Sequence, residues 1–492
     1  MNKLFLLTIS CWLLLIGTGC EKLVETKIES NITDADYFKN ESDFEPYVVG
    51  IYMYLRGSAR TGPQNITGIA NNITFGTERG EELIDAINSR LTTANKHIIT
   101  PTTGAFDYTN WYKAIGSVNL LLSKIENFSF TNENVKKRVM AEAYSLRAYV
   151  YFSLIRIIGD APIMPDAVTD EHVPKYPRSK ATEVMKQIIA DLDQAITLFP
   201  EKTIPVKYRF SYVAAQALKA DAKLWSAKVL AGGANDFNDA ITALAEVEKT
   251  SGLSLLTDFK AVTTTRANNE VIISIYFNRD ESFNNYAINA LPYEAGIAGA
   301  TNKDSIPFCI TTSNGQGAYQ ISARSKALFV SGDKRIPLTW ITERENTTLK
   351  YSWITKLPGN KYADDRVPDN DIILYRLGEV YLMAAEAYAG INNTTKAIEY
   401  LNKIRSRAGT GNYAGATDKA IVEKEILDER GRELFFENKR WYDLVRFHKG
   451  GTIDVYTYVP NLVGKTTPLF WPLAANVLAN NDQLKQTDGY PQ

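Results

Sequence analysis

Three carboxylates in the C-terminal third of the chain have the residue type and spacing for acid–base chemistry. Glu429, Glu433 and Glu437 follow one another at intervals of four residues. A glycosidase would use two such groups, one as the acid and the other as base or nucleophile. Carboxylates one turn apart on a single helix more often form a charged face, and Arg430 and Arg440 are available to pair with them. We therefore interpret these carboxylates as structural.

Other catalytic patterns are missing from the sequence. It contains neither a nucleophile elbow nor a phosphate-binding loop, and its three histidines and three cysteines show no metal-ligand spacing. The formal net charge of -1 gives no global attraction for nucleic acid. We predict that the chain is not an enzyme, needs no cofactor or metal, and has no nucleic-acid partner.

Aromatic side chains offer a different chemistry, because a chain with 27 Tyr, 20 Phe and 7 Trp can stack rings on ligands. Sugars present C–H faces to such rings and hydroxyls to Asn, Asp and Arg. Several aromatic residues lie in polar surroundings within an irregular central region, where each contacts ligand or else packs the loops. The candidates are Trp353, Tyr351, Trp340, Tyr286 and Tyr293.

The N-terminus has the organisation of an export signal. The apolar run Leu4–Ile16 is too short to span a bilayer, and the small residues of Gly17-Thr-Gly before Cys20 resemble a bacterial lipobox. We predict a signal peptide at 1–19, lipidation of Cys20 and a polar tether over 20–32. The alternative is an ordinary secretory signal cut elsewhere, with Cys20 incidental.

Helical periodicity dominates the scaffold that must position these residues. Apolar residues from Leu374 to Tyr388 recur at spacings of three and four, which predicts one helix of a hairpin. The pattern Ala-Ile-x-x-Leu/Phe begins at Ala195, Ala240 and Ala397, each in the second helix of a predicted pair. This pattern is typical of tetratricopeptide-like repeats, in which small residues such as Gly378 let helices approach.

Two irregular regions interrupt the helices. The stretch 57–109 is a long loop rich in Gly, Asn and Thr, and 255–370 combines one predicted strand, Glu270–Phe277, with loops dense in aromatic residues. Loops on a rigid frame are where binding residues usually lie. We therefore expect roughly Tyr276–Tyr362, with help from Gly57–Trp111, to decide what is bound.

Several blocks of the sequence resemble the SusD/RagB family, the surface glycan- and nutrient-binding lipoproteins of Bacteroidetes. The blocks are Ala141–Pro162, Tyr375–Ala387, Leu401–Gly409, Glu429–Arg446, Trp471–Leu473 and Asn481–Tyr490. Two departures occur in the last block, where Asp482 replaces the usual proline and Thr487 the usual asparagine. The resemblance covers nearly the whole mature chain.

The resemblance implies a mainly α, SusD-like fold, with tetratricopeptide-like helical pairs and a loop-rich, partly β insertion. It divides the mature chain into an N-terminal helical region at 33–254, an aromatic loop region at 255–370 and a C-terminal SusD/RagB region at 371–492. Because the family's site is partly built from N-terminal loops, Trp111 and Arg79 join the candidate ligand contacts.

The resemblance also implies a function in polysaccharide utilisation. A lipid-anchored protein at the cell surface of the outer membrane would capture oligosaccharide and deliver it, as a hinged lid, to a SusC-like TonB-dependent transporter. RagB-type members handle peptides, so a peptide-binding receptor is the alternative. A scaffold that only docks on the transporter is a third possibility.

Overall fold

The computed structural model describes residues 37–57, 68–85, 92–168, 174–281, 284–311 and 317–491. Cys20, the predicted signal peptide and the predicted tether lie outside the described residues. The helices of ten or more residues in these ranges are α1 (Phe44–Arg56), α2 (Thr109–Ile125), α3 (Glu133–Ile158), α4 (Ala181–Leu198), α5 (Tyr212–Val229), α6 (Gly233–Glu248), α7 (Leu377–Gly390), α8 (Thr394–Ala408), α9 (Lys419–Glu433) and α10 (Arg440–Lys449).

Within the described ranges, short strands form three small antiparallel sheets. The strands are β1 (Leu83–Asp85), β2 (Val271–Ile275), β3 (Tyr319–Ile321), β4 (Trp340–Glu345), β5 (Thr348–Ile354), β6 (Asn360–Lys361), β7 (Arg366–Val367) and β8 (Ile372–Arg376). The largest sheet has the order β1-β3-β5-β4, and the others pair β2 with β8 and β6 with β7. The order joins a strand from the first loop to strands of the central region.

Helical pairs make the body of the molecule, which confirms the predicted mainly α architecture. Helices α3 and α4, α5 and α6, and α7 and α8 pack as consecutive pairs, and α7 also packs on α6. The repeated alanines Ala195, Ala240 and Ala397 are fully buried. Gly390 leaves room for a neighbouring ring, because a Cβ there would lie 2.6 Å from atoms of Phe237. Among the helices of the described ranges, none is long and apolar enough to cross a membrane.

Local signals set several helix ends. The side chains of Asn132, Ser211 and Asn393 accept hydrogen bonds from backbone N–H groups in the first turns of α3, α5 and α8. Gly409 closes α8 with φ of 74°, a left-handed conformation that suits glycine.

The helix predicted from Leu374 begins later than its apolar spacing indicates. Residues Ile372–Arg376 form β8, which pairs antiparallel with β2, and α7 starts at Leu377. All residues of both strands are buried, so neither strand shows the alternation that separates strands from helices in a sequence. The strand predicted within Glu270–Phe277 is confirmed as Val271–Ile275.

The segment Glu429–Arg446 is also divided. Helix α9 ends at Glu433 and α10 begins at Arg440, so the interpretation of Glu437 as part of one helical face was wrong. Phe436 and Asn438 between them have φ of 57° and 61°. The break fits against the first loop, because Gly76 N donates to Asn438 Oδ1 at 3.1 Å and a Cβ at Gly76 would lie 2.2 Å from the Asn438 carbonyl oxygen.

Candidate functional site

The carboxylates with catalytic spacing are locked inside the protein. Glu429 and Glu433 are fully buried, and Glu433 pairs with Arg335 at 3.0 Å, with Arg376 at 2.6 Å and with Arg407. Ion pairs connect these side chains to others that are at most 6% exposed, and we call these five acidic and five basic side chains the buried ionic cluster. Its members are Glu270, Asp333, Glu429, Glu433, Glu437, Arg335, Lys356, Arg376, Arg407 and Arg432.

Opposite charges within the cluster keep its carboxylates ionised. Burial raises the pKa of Glu433, but the charges of Arg407, Arg376 and other nearby cations outweigh it and hold the pKa well below its usual range. Burial also raises the pKa of Glu437, but the charges of Arg376 and Lys356 outweigh it and bring the pKa to about 2. The cluster therefore joins the central region to α7, α8 and α9 rather than presenting an acid and a base to a substrate, and the predicted structural role is confirmed for Glu429 and Glu433.

Three of the aromatic candidates are interior residues. Trp353 is 0% exposed and donates through Nε1 to Glu343 Oε2 at 2.8 Å. The Tyr286 hydroxyl accepts from Asn438 N, and Trp111 Nε1 donates to Ser153 Oγ. Tyr286 and Trp111 are each 2% exposed. The expectation that these rings stack on ligand is contradicted, because a buried ring has no free face.

Arg79 is likewise a structural residue. Its guanidinium is buried and donates to the carbonyl oxygens of Leu469 at 2.6 Å and Pro468 at 2.7 Å. The guanidinium carbon lies 4.3 Å from the ring centre of Trp441. Burial lowers the pKa of Arg79 to about 10. Arg79 therefore ties the first loop to the C-terminal segment instead of reaching a ligand.

The remaining aromatic candidates keep partly exposed rings but do not share one site. Tyr351 packs beside Trp353, whereas Trp340 packs on Phe329 with ring centres 5.0 Å apart. Trp353 pairs with Ile341 and Trp340 with Ile354 across β4 and β5, so Tyr351 and Trp340 point to opposite faces. Tyr293 lies at a bridge to Cys309, outside both strands.

Changing Trp353 to phenylalanine tests the interpretation that this residue stabilises the fold and does not contact ligand. We expect the free energy of unfolding to fall by about 1–2 kcal/mol, because the buried Glu343 carboxylate loses its indole donor. Urea titration followed by fluorescence or circular dichroism measures this loss. Ligand affinity at 25 °C should stay unchanged, and a large loss of affinity in a folded variant would contradict the interior role.

An open cleft of about 350 Å³ joins the two irregular regions that were expected to form the site. It lies between the segment that precedes β1, Thr92 and the strand β3. Its lining residues are Asn71, Asn72, Ile73, Thr74, Glu78, Thr92, Asn289, Ala318 and Tyr319. We call this the polar cleft. None of the seven sequence-derived candidates lines it, although the two regions predicted to decide binding both contribute.

A buried carboxylate organises the base of the polar cleft. Glu78 is 2% exposed, and it accepts hydrogen bonds from the hydroxyls of Tyr319 at 2.5 Å and Thr92 at 2.6 Å. Burial raises the pKa of Glu78, and the hydroxyl donors oppose that shift. The carboxylate therefore fixes two hydroxyl groups that come from different segments of the chain.

Amide side chains at the polar cleft are held by their oxygen atoms. Asn71 Oδ1 accepts from Tyr286 N, and Asn72 Oδ1 accepts from Thr74 N, both at 3.0 Å. Each amide is thereby oriented, with its NH2 group as the remaining donor. Oriented amides and hydroxyls suit a ligand that carries many hydroxyl groups, and the cleft holds no acid–base pair with glycosidase geometry among the described residues.

The residues of the polar cleft could not be predicted from the sequence, because they do not recur at any regular spacing along the chain. Asn72, Thr92, Asn289 and Tyr319 come from separate segments, which long-range contacts such as the β1–β3 pairing bring together. Asparagine and threonine are common in loops for turn formation alone. The one available signal was the richness of residues 57–109 in these types, which marked the region but not the residues.

Comparison with known proteins identifies relatives along most of the chain. A model of the SusD family matches residues 334–490, and one described as starch-binding associating with outer membrane matches residues 60–224. SusD-like protein P38 of Formosa agariphila is 26% identical over 97% of this chain and 98% of that protein. The starch-binding protein SusD of Bacteroides thetaiotaomicron is 32% identical over 27% of this chain and 24% of that protein.

The fold has solved counterparts. NanU of B. fragilis superposes with a TM-score of 0.79 at 28% identity, covering 94% of this chain and 99% of NanU. Helical pairs that carry a loop-rich insertion with an open cleft define a binding scaffold of the SusD type. The chain belongs to the SusD/RagB family, as the sequence blocks predicted.

Proposed function

We propose that this protein captures oligosaccharides at the polar cleft and passes them to a SusC-like TonB-dependent transporter in the outer membrane. The observation that carries the proposal is the pair of oriented, partly exposed groups at the cleft, the Asn72 amide and the Thr92 hydroxyl, with the buried Tyr319 hydroxyl held by the same carboxylate as Thr92. Sugar hydroxyls are both donors and acceptors, so they can pair with amide NH2 groups and hydroxyl oxygens in the same site.

The family supports the class of ligand and the location. One matching family description names starch binding and outer-membrane association, and one relative is named a starch-binding protein. Lipidation of Cys20 would anchor the protein at the cell surface, and several acyl chains give a stable anchor. Tyr293, Trp340 and Tyr351, whose rings stay partly exposed, remain proposed secondary contacts for longer glycans.

Removing two amides from the polar cleft tests the ligand site. We expect the variant Asn72→Ala/Asn289→Ala to bind oligosaccharides about five- to 100-fold more weakly, because each lost hydrogen bond contributes about 0.5–1.5 kcal/mol. Isothermal titration calorimetry with starch-, β-glucan- and sialic-acid-containing oligosaccharides measures the affinities. The matched control is Asn238→Ala, an exposed amide on α6 whose NH2 group donates to the Ala234 carbonyl.

Two outcomes would contradict the proposal. Equal affinities of the double variant and the Asn238→Ala control would move the glycan site away from the polar cleft. Binding of peptides together with a failure of every glycan to bind would favour the RagB-like peptide receptor. Co-purification of a TonB-dependent transporter with the lipidated full-length chain tests the partner separately.

A further inference from the structure

A second cleft, of about 510 Å³, lies on the other side of helix α2. Three tyrosines, Tyr108, Tyr112 and Tyr176, line it together with Pro162, Met164 and Pro174. Its volume is in the range of small-molecule sites, which are mostly apolar and aromatic with a few polar groups. We call it the tyrosine cleft.

Buried hydrogen bonds hold one wall of the tyrosine cleft in place. Asn119, itself 3% exposed, donates from Nδ2 to the carbonyl oxygens of Met164 at 2.8 Å and Asp166 at 3.1 Å. The Tyr151 hydroxyl accepts from Met164 N at 2.9 Å. Arg147 in turn donates to Asn119 Oδ1 at 2.8 Å. A wall fixed by interior polar groups keeps the cleft from closing by collapse of its apolar side chains.

The rings of Tyr108 and Tyr112 meet at an angle of 59°, and we call their accessible faces the platform. The ring centres of Tyr108 and Tyr112 are 4.5 Å apart, and the Tyr112 hydroxyl donates to the Pro162 carbonyl oxygen at 2.7 Å. Asn481 Nδ2 holds the backbone of Tyr176 through its carbonyl oxygen at 3.0 Å. Within the described part of the chain, the hydroxyls of Tyr108 and Tyr176 make no hydrogen bond. Burial raises the pKa of Tyr108 to about 12, so this hydroxyl stays protonated and can donate.

Polar groups around the rim narrow the class of ligand. Thr109, Asn480 and Asn481 supply a hydroxyl and two amides beside the apolar floor. Two basic residues, Lys113 and Lys175, also line the cleft, and Lys175 pairs with Asp482 at 3.2 Å, so acidic as well as neutral sugars suit the rim. A hydrocarbon would leave the hydroxyls of Tyr108 and Tyr176 without partners, whereas a pyranose ring offers a C–H face to the platform and hydroxyls to the rim.

We propose that the tyrosine cleft is a second, separate site for a pyranose-containing oligosaccharide. The inference rests on the proposed glycan-binding function and adds a binding site to it. An aromatic wall separates the two clefts. Phe75, next to Thr74 of the polar cleft, contacts Phe106 and Trp111 with ring centres 5.1 and 5.9 Å apart, and Trp111 precedes Tyr112 on α2. Each site can therefore be altered without reshaping the other.

Gly116 provides a direct way to fill the tyrosine cleft. A Cβ added there meets only the Met164 methyl carbon, at 3.5 Å, which is ordinary contact. Gly116 lies inside α2, where alanine and leucine are better helix formers than glycine. Gly116→Leu should occupy the cleft in a folded protein, while Gly116→Ala adds one methyl group and serves as the matched control.

The test screens a glycan array with the wild type and three variants, namely Gly116→Leu, Gly116→Ala and Asn72→Ala/Asn289→Ala. Array oligosaccharides from α-glucans, β-glucans, mannans, xylans and sialylated glycans are the probes, and hits are titrated by calorimetry. We expect Gly116→Leu to bind one set of glycans at least about tenfold more weakly. For a glycan that occupies both clefts, we expect the stoichiometry to fall from two binding equivalents to one. Gly116→Ala should match the wild type, and thermal unfolding confirms that all variants fold.

The outcomes separate the two proposals. Unchanged affinities and stoichiometry in Gly116→Leu, with binding lost in Asn72→Ala/Asn289→Ala, would overturn the second site and leave the proposed function standing. Loss in Gly116→Leu for some glycans and in the double variant for others supports both sites. Failure of the wild type to bind any array glycan would overturn both. Tyr108→Phe, which keeps the ring, should weaken binding less than Gly116→Leu if the ring face is the platform.

Discussion

Replacing Glu433 by glutamine will lower the free energy of unfolding by about 3–5 kcal/mol, which is the cost of removing one partner from a buried ion pair. Glutamine keeps the shape of the side chain but removes the charge that Arg335, Arg376 and Arg407 share. The three guanidiniums would then face one another with less compensation in a site without water access. Urea unfolding at pH 7 measures the difference.

The same cluster sets the acid limit of stability. Charges of the surrounding cations depress the pKa of Glu433 and place that of Glu437 at about 2 in the folded state, below the values of free carboxylates. A depressed folded-state pKa gives stability that is present above the unfolded pKa and lost as pH falls toward the folded one. We expect the wild type to lose stability as the pH falls from about 4.5 toward 2, and Glu433→Gln to lose less over that range.

An exposed ion pair on α8 gives the matched control. Glu399 pairs with Lys396 at 2.6 Å, and both side chains are about half exposed. Glu399→Gln should change the free energy of unfolding by less than about 0.5 kcal/mol, because water screens the pair. If Glu433→Gln were as mild as this control, the cluster would be solvated in solution and its proposed role in joining α7, α8 and α9 would be wrong.

The helical scaffold could be predicted from the sequence because its signals are local. Apolar spacing predicted the hairpin helix that becomes α7, and the repeated alanines marked α4, α6 and α8 as second helices of pairs. Caps at Asn132, Ser211 and Asn393 define the starts of α3, α5 and α8. The strand β8 could not be separated from the helix that follows it. Its apolar residues fit either structure, and the choice depends on β2, which lies about a hundred residues away.

The candidate site was predictable as a region but not as a set of residues. Aromatic side chains were weighed as ligand platforms, yet Trp353 and Tyr286 turned out to hold the loops together from inside. Burial depends on long-range pairing such as that of β3 with β5, which no local pattern reveals. The polar cleft instead uses asparagine and threonine, whose functional use cannot be distinguished from turn formation in one sequence.

A methyl group at Gly378 should destabilise the protein by about 3 kcal/mol, since overpacking a well-packed core costs about 1–3 kcal/mol and a charged network leaves less room to relax. The repeat pattern had assigned Gly378 to close helix approach. The structure instead places its missing side chain against the buried ionic cluster. A Cβ there would lie 2.3 Å from Arg376 Nη1, 2.9 Å from Glu270 Oε1 and 3.0 Å from Glu433 Oε1.

Arg376 cannot easily move away from such a methyl group. Its Nη1 is held by Glu270 at 2.7 Å and Glu433 at 2.6 Å, and its Nη2 by Glu437 at 2.8 Å. Relief of the clash would therefore stretch ion pairs that stabilise the junction of β8 with α7. Chemical unfolding of Gly378→Ala measures the cost, and a crystal structure of the variant should show the Arg376 guanidinium displaced.

Gly50 in α1 is the matched control because it is also a helical glycine. Apart from its chain neighbours and the backbone of its own helix, no described atom lies within 4 Å of a Cβ built there, and the residue is exposed. Gly50→Ala should raise the free energy of unfolding by about 0.5–1 kcal/mol through helix propensity alone. Opposite signs for the two substitutions would locate the cost in the ionic cluster. A gain in both would mean that the cluster has room for a methyl group, and that Gly378 serves only the approach of helices.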